Sequence, residues 1–209
     1  MSDALAGVPR PSSETIRGRL RDLLDRWVTN PVVRLLARLG VTPNVLTIAG
    51  LAGSVGAAVA LSTGNLVAGG AIVLASGTFD LFDGALARAT NTASRVGALL
   101  DSTLDRLAEA AILFGLLVHF ARRDATEEIL LVFLVMTASV LVSYVKARAE
   151  ALGIACNVGV MTRPERVVLL SIGLLIGHVT ILLYVVAVLS FATAGHRFVH
   201  ALAQARHPG

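Results

Sequence analysis

A single cysteine, Cys156, stands in the 209 residues. Its isolation excludes an intramolecular disulfide and any zinc site built from several cysteines, and it reads as a small buried or loop residue. Charge is also scarce. Asp, Glu, Lys and Arg make up 15% of the chain, against about 25% in an ordinary soluble domain. That shortfall, beside a hydrophobic share of 55%, excludes a disordered chain. Nothing in the composition is collagen-like or disulfide-rich. Residues 1–30 are polar and hold no apolar stretch of the kind a secretory signal needs. The length predicts one domain with no appended soluble domain.

What is present is a series of apolar segments with arginines at their ends, the pattern of an integral membrane protein. The net charge of +4 therefore reads as membrane anchoring, and no nucleic-acid partner is expected. Residues 1–13 read as a flexible tail. From Glu14 apolar residues recur at helical spacing (Ile16, Leu20, Leu23, Leu24, Trp27, Val28) among Arg17, Arg19, Arg21 and Arg26. This predicts an amphipathic juxtamembrane helix over 14–40, lying at the cytoplasmic headgroup region, with Leu35, Leu36 and Leu39 continuing it after Pro31. Residues 41–209 then form an all-α membrane domain of six transmembrane helices, at about 44–62, 66–87, 96–120, 129–148, 166–177 and 180–203. The fifth is short for a span of about 20 residues. With the N-terminus inside, sixteen of the eighteen Lys and Arg residues fall on one side and only Arg122 and Arg123 on the other. The positive-inside rule then places both termini in the cytoplasm of a multi-pass cell (inner or plasma) membrane protein.

Four aspartates stand where the second segment ends and the third begins: Asp80, Asp83, Asp101 and Asp105. The spacings i, i+3 and i, i+4 put each pair on one helix face. If the two helices are neighbours, the carboxylates converge near the cytoplasmic interface. Ionised carboxylates in lipid repel one another and are costly to desolvate, so a cation must offset them. Oxygen ligands with no Cys or His nearby point to Mg²⁺ or Mn²⁺, as a pair of ions. A proton relay, or ion pairs with arginines, is the bland alternative. Gly84 permits close backbone approach by a ligand, and Arg88 offers a fork suited to phosphate.

The order of these residues is DLFDGALARATNTASRVGALLDSTLD over 80–105. Its fixed positions are Asp80, Asp83, Gly84, Ala87, Arg88, Gly97, Asp101 and Asp105. It resembles, without substitution, the signature of the CDP-alcohol phosphotransferases, also called CDP-alcohol phosphatidyltransferases. The resemblance implies that Asp80, Asp83, Asp101 and Asp105 surround a two-metal site that binds the pyrophosphate of a CDP-linked lipid such as CDP-diacylglycerol. It also implies that Asp105 is the catalytic base, deprotonating the acceptor hydroxyl so that CMP is expelled. Gly84, Ala87, Arg88 and Ser94 are then expected around the nucleotide. The segment Thr42-Pro43-Asn44-Val45-Leu46-Thr47 resembles the family's nucleotide-contacting segment, which adds Asn44 and Thr47; on its own Thr42-Pro43-Asn44 reads as a helix start.

The loop after the fourth segment carries Lys146, Arg148, Arg163 and Arg166, which suggests an anionic acceptor; plain positive-inside flanking explains them too. The stretches KARAEALG and RPER resemble the phosphatidylinositol phosphate synthase branch. That implies an inositol phosphate acceptor held by Lys146, Arg166, Arg206 and, as a further candidate, Arg163. Phosphatidylglycerophosphate synthesis, serine or free inositol as acceptor, an archaeal ether-lipid donor, an intramembrane prenyltransferase and an ion-coupled transporter are the competing readings. A homodimer is the family's usual state, and Gly173 and Gly177 have the small-xxx-small spacing of helix packing. Glu109 continues the face of Asp101 and Asp105 by one more turn, either bonded within the bundle or beside the site.

Overall fold

The computed structural model describes residues 30–206. The tail at 1–13 and the part of the amphipathic helix before Asn30 lie outside the described residues. Among those described, the chain is entirely helical in its regular structure. Its helices are α1 (Asn30–Arg38), α2 (Pro43–Ser62), α3 (Leu66–Ala89), α4 (Arg95–Ala121), α5 (Thr126–Ala151), α6 (Arg163–Leu175) and α7 (Val179–Arg206).

Local chemistry sets the boundaries. Thr42 is extended and Pro43 opens α2, where its missing N–H costs nothing. Asn65 and Ser94 cap α3 and α4, their side chains accepting from the Ala68 and Gly97 amides. The turn at Gly64 has φ +92 and that at Gly177 has φ +75, both in the left-handed region.

Packing follows a ring. Helix α2 lies against α3 and α4, α3 against α6, α6 against α7, α7 against α5, and α5 against α4. The interior is one apolar cluster, with Ala57, Leu61, Leu113, Leu116, Leu174 and Leu183 at its centre. Close approach depends on small residues. A Cβ on Gly115 would stand 2.5 Å from the Ala58 carbonyl oxygen, so α2 and α4 meet backbone to backbone. Short α1 docks through Val33 on Leu46 and Leu86.

One expectation needs adjusting, and another is met within the chain. Helices α3 and α4 are not close-packed neighbours; each packs on α2, and their carboxylates converge across the ring. The spacing of Gly173 and Gly177 serves the chain itself, because a Cβ on Gly173 would stand 2.8 Å from Leu182 Cβ and Gly177 is the turn between α6 and α7.

Four helices, α2, α3, α5 and α7, are long and apolar enough to cross a membrane. The protein is thus a membrane protein by these four. Helix α4 has 27 residues but carries Arg95, Asp101, Asp105, Arg106 and Glu109. Helix α6 has only 13 residues, about 20 Å at 1.5 Å per residue. It begins at Arg163, three residues before the expected start of the fifth segment, and ends earlier.

Candidate active site

The aspartates come together as the spacing predicts, at the end of the bundle where α3 finishes and α4 begins. Asp83 is buried, and its Oδ2 accepts a 2.8 Å hydrogen bond from the Thr47 hydroxyl on α2. Asp80 and Asp105 face each other across Arg163, the first residue of α6. One guanidinium nitrogen, Arg163 Nη1, lies 2.6 Å from Asp80 Oδ2 and 2.8 Å from Asp105 Oδ1. Two helices and 83 positions of sequence separate Asp80 from Arg163. The bland alternative, aspartates paired with an arginine, is therefore partly realised in this arrangement. Among the described residues no three acidic, His or Cys side chains form a compact cation cage as they stand. The donor set nevertheless suits a hard divalent cation, since it offers carboxylate oxygens from two facing helices and no softer ligand.

Two cavities flank the carboxylates. The larger, of about 370 Å³, lies between α2, α3 and α4. It is lined by Thr42, Pro43, Asn44, Thr47, Asp83, Gly84, Ala87, Arg88, Ser94, Gly97 and Asp101, and also by Thr92, Ala93 and Ala98. Every nucleotide-side residue expected from the sequence is on this wall. Thr92, Ala93 and Ala98 were not singled out; they flank Ser94 in the spacer between the two aspartate pairs, and only their adjacency hints at them. Ser94 has a second task as the cap of α4, its Oγ 3.0 Å from the Gly97 amide. A side chain at Gly97 would crowd that oxygen, at 3.2 Å from an added Cβ.

The smaller cavity, of about 260 Å³, is lined by Leu74, Gly77, Thr78, Asp80, Leu81, Asp101, Asp105, Arg163, Pro164, Val167 and Val168. Asp101 lines both cavities, Asp83 only the first, and Asp80 and Asp105 only the second.

The four basic residues expected at the acceptor diverge. Arg163 lines the smaller cavity. Arg166 is buried, with Nε and Nη2 donating to the two Glu109 oxygens at 2.7 and 2.9 Å and Nη1 donating to the Met161 carbonyl at 3.3 Å. This bidentate pair answers the question left open about Glu109: it bonds within the bundle, behind the cavity. Lys146 sits half-exposed near the end of α5, 3.6 Å from Glu150. Arg206 is exposed at the last turn of α7.

No motif or spacing hinted at what holds α6 in place. Buried Arg197 on α7 donates to the Val158 carbonyl and the Val142 carbonyl, both at 2.9 Å. Thr193 accepts from the Met161 amide at 3.1 Å. Cys156 is buried in the same loop, as expected of it, with its sulfur 4.0 Å from the Arg197 carbonyl. These contacts pin residues 152–162 onto α7 and aim the start of α6 at the aspartates. The Thr162 amide then donates to the Glu165 carboxylate at 3.1 Å, closing the first turn.

The chain is similar to known proteins in sequence and fold. The CDP-alcohol phosphatidyltransferase family model matches residues 40–201. A phosphatidylinositol phosphate synthase of Mycobacteroides abscessus is 43% identical over 148 residues, covering 70% of this chain and 67% of the relative. An archaetidylinositol phosphate synthase of Pyrococcus horikoshii is 41% identical over 181 residues, covering 85% and 90%. Among solved structures, the Mycobacterium tuberculosis phosphatidylinositol phosphate synthase with CDP-DAG bound superposes with a TM-score of 0.76 at 34% identity, covering 83% of this chain and 93% of that one. The same enzyme in complex with manganese and citrate gives a TM-score of 0.77, covering 84% and 89%, and it points to a divalent metal as the cation for these carboxylates. With the full aspartate signature in place and a cavity on either side of it, the chain belongs to the CDP-alcohol phosphatidyltransferase family of enzymes.

Proposed function

We propose that the protein transfers the phosphatidyl group of CDP-diacylglycerol to a hydroxyl of inositol 1-phosphate, releasing CMP and forming phosphatidylinositol phosphate. The observation that carries this reading is the position of Asp101, on the shared wall of two cavities of unlike chemistry. A transferase for two substrates needs such a wall, with the reacting phosphorus between them. The names of the relatives supply the substrate classes.

The larger cavity takes the cytidine diphosphate portion. Asn44, Thr47, Gly84, Ala87, Arg88 and Ser94 bind it, the glycine and alanine by leaving room and Arg88 by charge-assisted bonds to phosphate. Asp80, Asp83, Asp101 and Asp105 are the residues that hold the metal, taken as two Mg²⁺ or Mn²⁺ ions. Bound there, such ions neutralise the pyrophosphate and stabilise charge on the attacking and leaving oxygens. Asp105 faces the acceptor cavity, which suits a general base. Its carboxylate takes the proton of the acceptor hydroxyl, whose oxygen forms the new bond to the lipid-bearing phosphorus while the bond to CMP breaks. Arg163 leads the acceptor-phosphate group, with Lys146 and Arg206 reaching in from the ends of α5 and α7. Arg166 belongs to this group only if it leaves Glu109.

The wider frame is also part of the proposal. All six helices α2–α7 are taken as spans of a multi-pass cell-membrane domain (41–209), preceded by a juxtamembrane helix over 14–40. The site and both termini face the cytoplasm, an orientation supported by the sixteen-to-two division of basic residues. A homodimer is proposed on the family resemblance.

The test is CMP release by the purified protein in detergent with Mg²⁺ and CDP-diacylglycerol. Parallel reactions contain inositol 1-phosphate, glycerol 3-phosphate, inositol or serine. Turnover confined to inositol 1-phosphate is expected. Turnover confined to glycerol 3-phosphate would move the acceptor assignment and leave the aspartates in their roles. The archaeal relative makes an ether-linked CDP-lipid the necessary second donor.

A further inference from the structure

Arg163 uses the oxygens that a divalent cation needs. Its Nη1 stands within ion-pair distance of Asp80 on α3 and Asp105 on α4. No other side chain ties these two helices together through the site by an ion pair, among the described residues. A single nitrogen carrying positive charge, bridging two facing carboxylates, has the position and charge sign of a bridging metal ion. A guanidinium and a divalent ion cannot share those oxygens: like charges would repel at contact distance, in a poorly hydrated site where repulsion is strong.

We infer that Arg163 is an exchangeable counter-ion of the aspartate cluster, competing with the divalent cation for Asp80 and Asp105 and released into the acceptor cavity when the cation takes them. The inference rests on the metal assignment proposed above and adds an order to it. The backbone of Arg163 is fixed by the Thr162–Glu165 turn and by the loop pinned to α7, so the exchange is a side-chain swing. The cavity of about 260 Å³ that Arg163 lines together with Asp80 and Asp105 gives the space for that swing. The cavity's third carboxylate, Asp101, belongs to the same proposed metal set, so the released guanidinium presents its fork to an anion. Metal and anionic acceptor therefore bind with positive coupling, each favouring the rotamer that the other needs.

The experiment is Mn²⁺ binding to the full-length protein in detergent, without lipid or acceptor, followed by the EPR signal of free Mn²⁺. Wild type, Arg163→Gln, Arg163→Lys and Asp80→Asn are compared, with thermal unfolding as the check that each is folded. Removing a competitor tightens binding, so Arg163→Gln is expected to bind Mn²⁺ at least about fivefold more tightly than wild type, the lower end of typical site-to-site coupling. Arg163→Lys, which keeps the charge without the fork, is expected to fall between them, and Asp80→Asn to bind weakly. Equal or weaker Mn²⁺ binding by Arg163→Gln overturns the inference. So does the absence of binding by both wild type and Arg163→Gln. In either case CMP release by wild type as Mg²⁺ is titrated says separately whether the metal assignment falls as well. Should Arg163→Gln fail to fold, tighter binding by Arg163→Lys supports the inference and unchanged binding by it counts against.

Discussion

The two cavities beside the aspartates are built in opposite ways. The larger is walled by two short stretches, 42–47 and 83–101, made mostly of small side chains and hydroxyls with one arginine and the carboxylates of Asp83 and Asp101. The smaller is walled by residues of α3 and α4 on one side and by Arg163, Pro164, Val167 and Val168 of α6 on the other. One side is a local property of the sequence. The other exists only because a loop tied to α7 delivers α6 to the site. On the proposed assignment of the cavities, a common donor and a variable acceptor suit this division: the donor side would be a compact module, and the acceptor side would be changed by altering a distant helix start.

Substitutions test that division. The largest effect is expected from Asp105→Asn, which removes the base while keeping size. CMP release should fall about 10³-fold, within the range for loss of a general base, with unfolding temperature and CDP-lipid binding retained. Normal turnover by this variant would remove Asp105 from the chemistry. Next comes Arg163→Ala. Loss of a charge-assisted contact worth about 1.5–3 kcal/mol should raise the KM of the acceptor roughly 10- to 100-fold and move that of the donor little. Equal rises in both would erase the distinction between the cavities. Thr47→Val takes the hydroxyl from Asp83. It should raise the donor KM about tenfold, the value of one hydrogen bond to a charged group, and spare the acceptor KM in steady-state kinetics. Smallest is Arg206→Gln. An exposed charge at a helix end contributes about 1 kcal/mol or less, so its acceptor KM should change less than about fivefold, and less still in 0.5 M salt on the order of what screening predicts.

The contrast also explains what was legible beforehand. The four aspartates, Gly84, Ala87 and Arg88 sit at helical spacings within 26 residues, where geometry follows from periodicity. All of them line one or other cavity. The basic residues of α5–α7 were legible as charge but not as roles. Arg163 and Arg166 are three apart and both reach the same end of the bundle, yet one bridges Asp80 and Asp105 while the other is locked on Glu109. Spacing cannot separate them, because the choice depends on which turn of α6 faces the cavity and which faces the core. Helix positions were legible to within a few residues, α6 included, and the break expected after residue 177 is the left-handed turn at Gly177. The neighbour relation of α3 and α4 was simpler on paper than in the ring, where α2 stands between them.

The shortness of α6 has a consequence for where the chemistry happens. Taken as a span, as proposed above, its length of about 20 Å falls some 10 Å short of a hydrocarbon core of about 30 Å. Such a mismatch is met by local thinning of the bilayer or by a helix that stops below the surface. Arg163 begins that helix, and Asp80 lies nine residues before the end of α3, about 14 Å down its axis. On the proposed assignment of spans and site, the reaction centre is then sunk beneath the rim of its neighbours, at the floor of a well. A water-soluble acceptor descends into it from above. If the lipid donor slides its headgroup in sideways with its tails still in the bilayer, as the proposed arrangement allows, the two substrates approach along perpendicular paths and neither leaves its own phase.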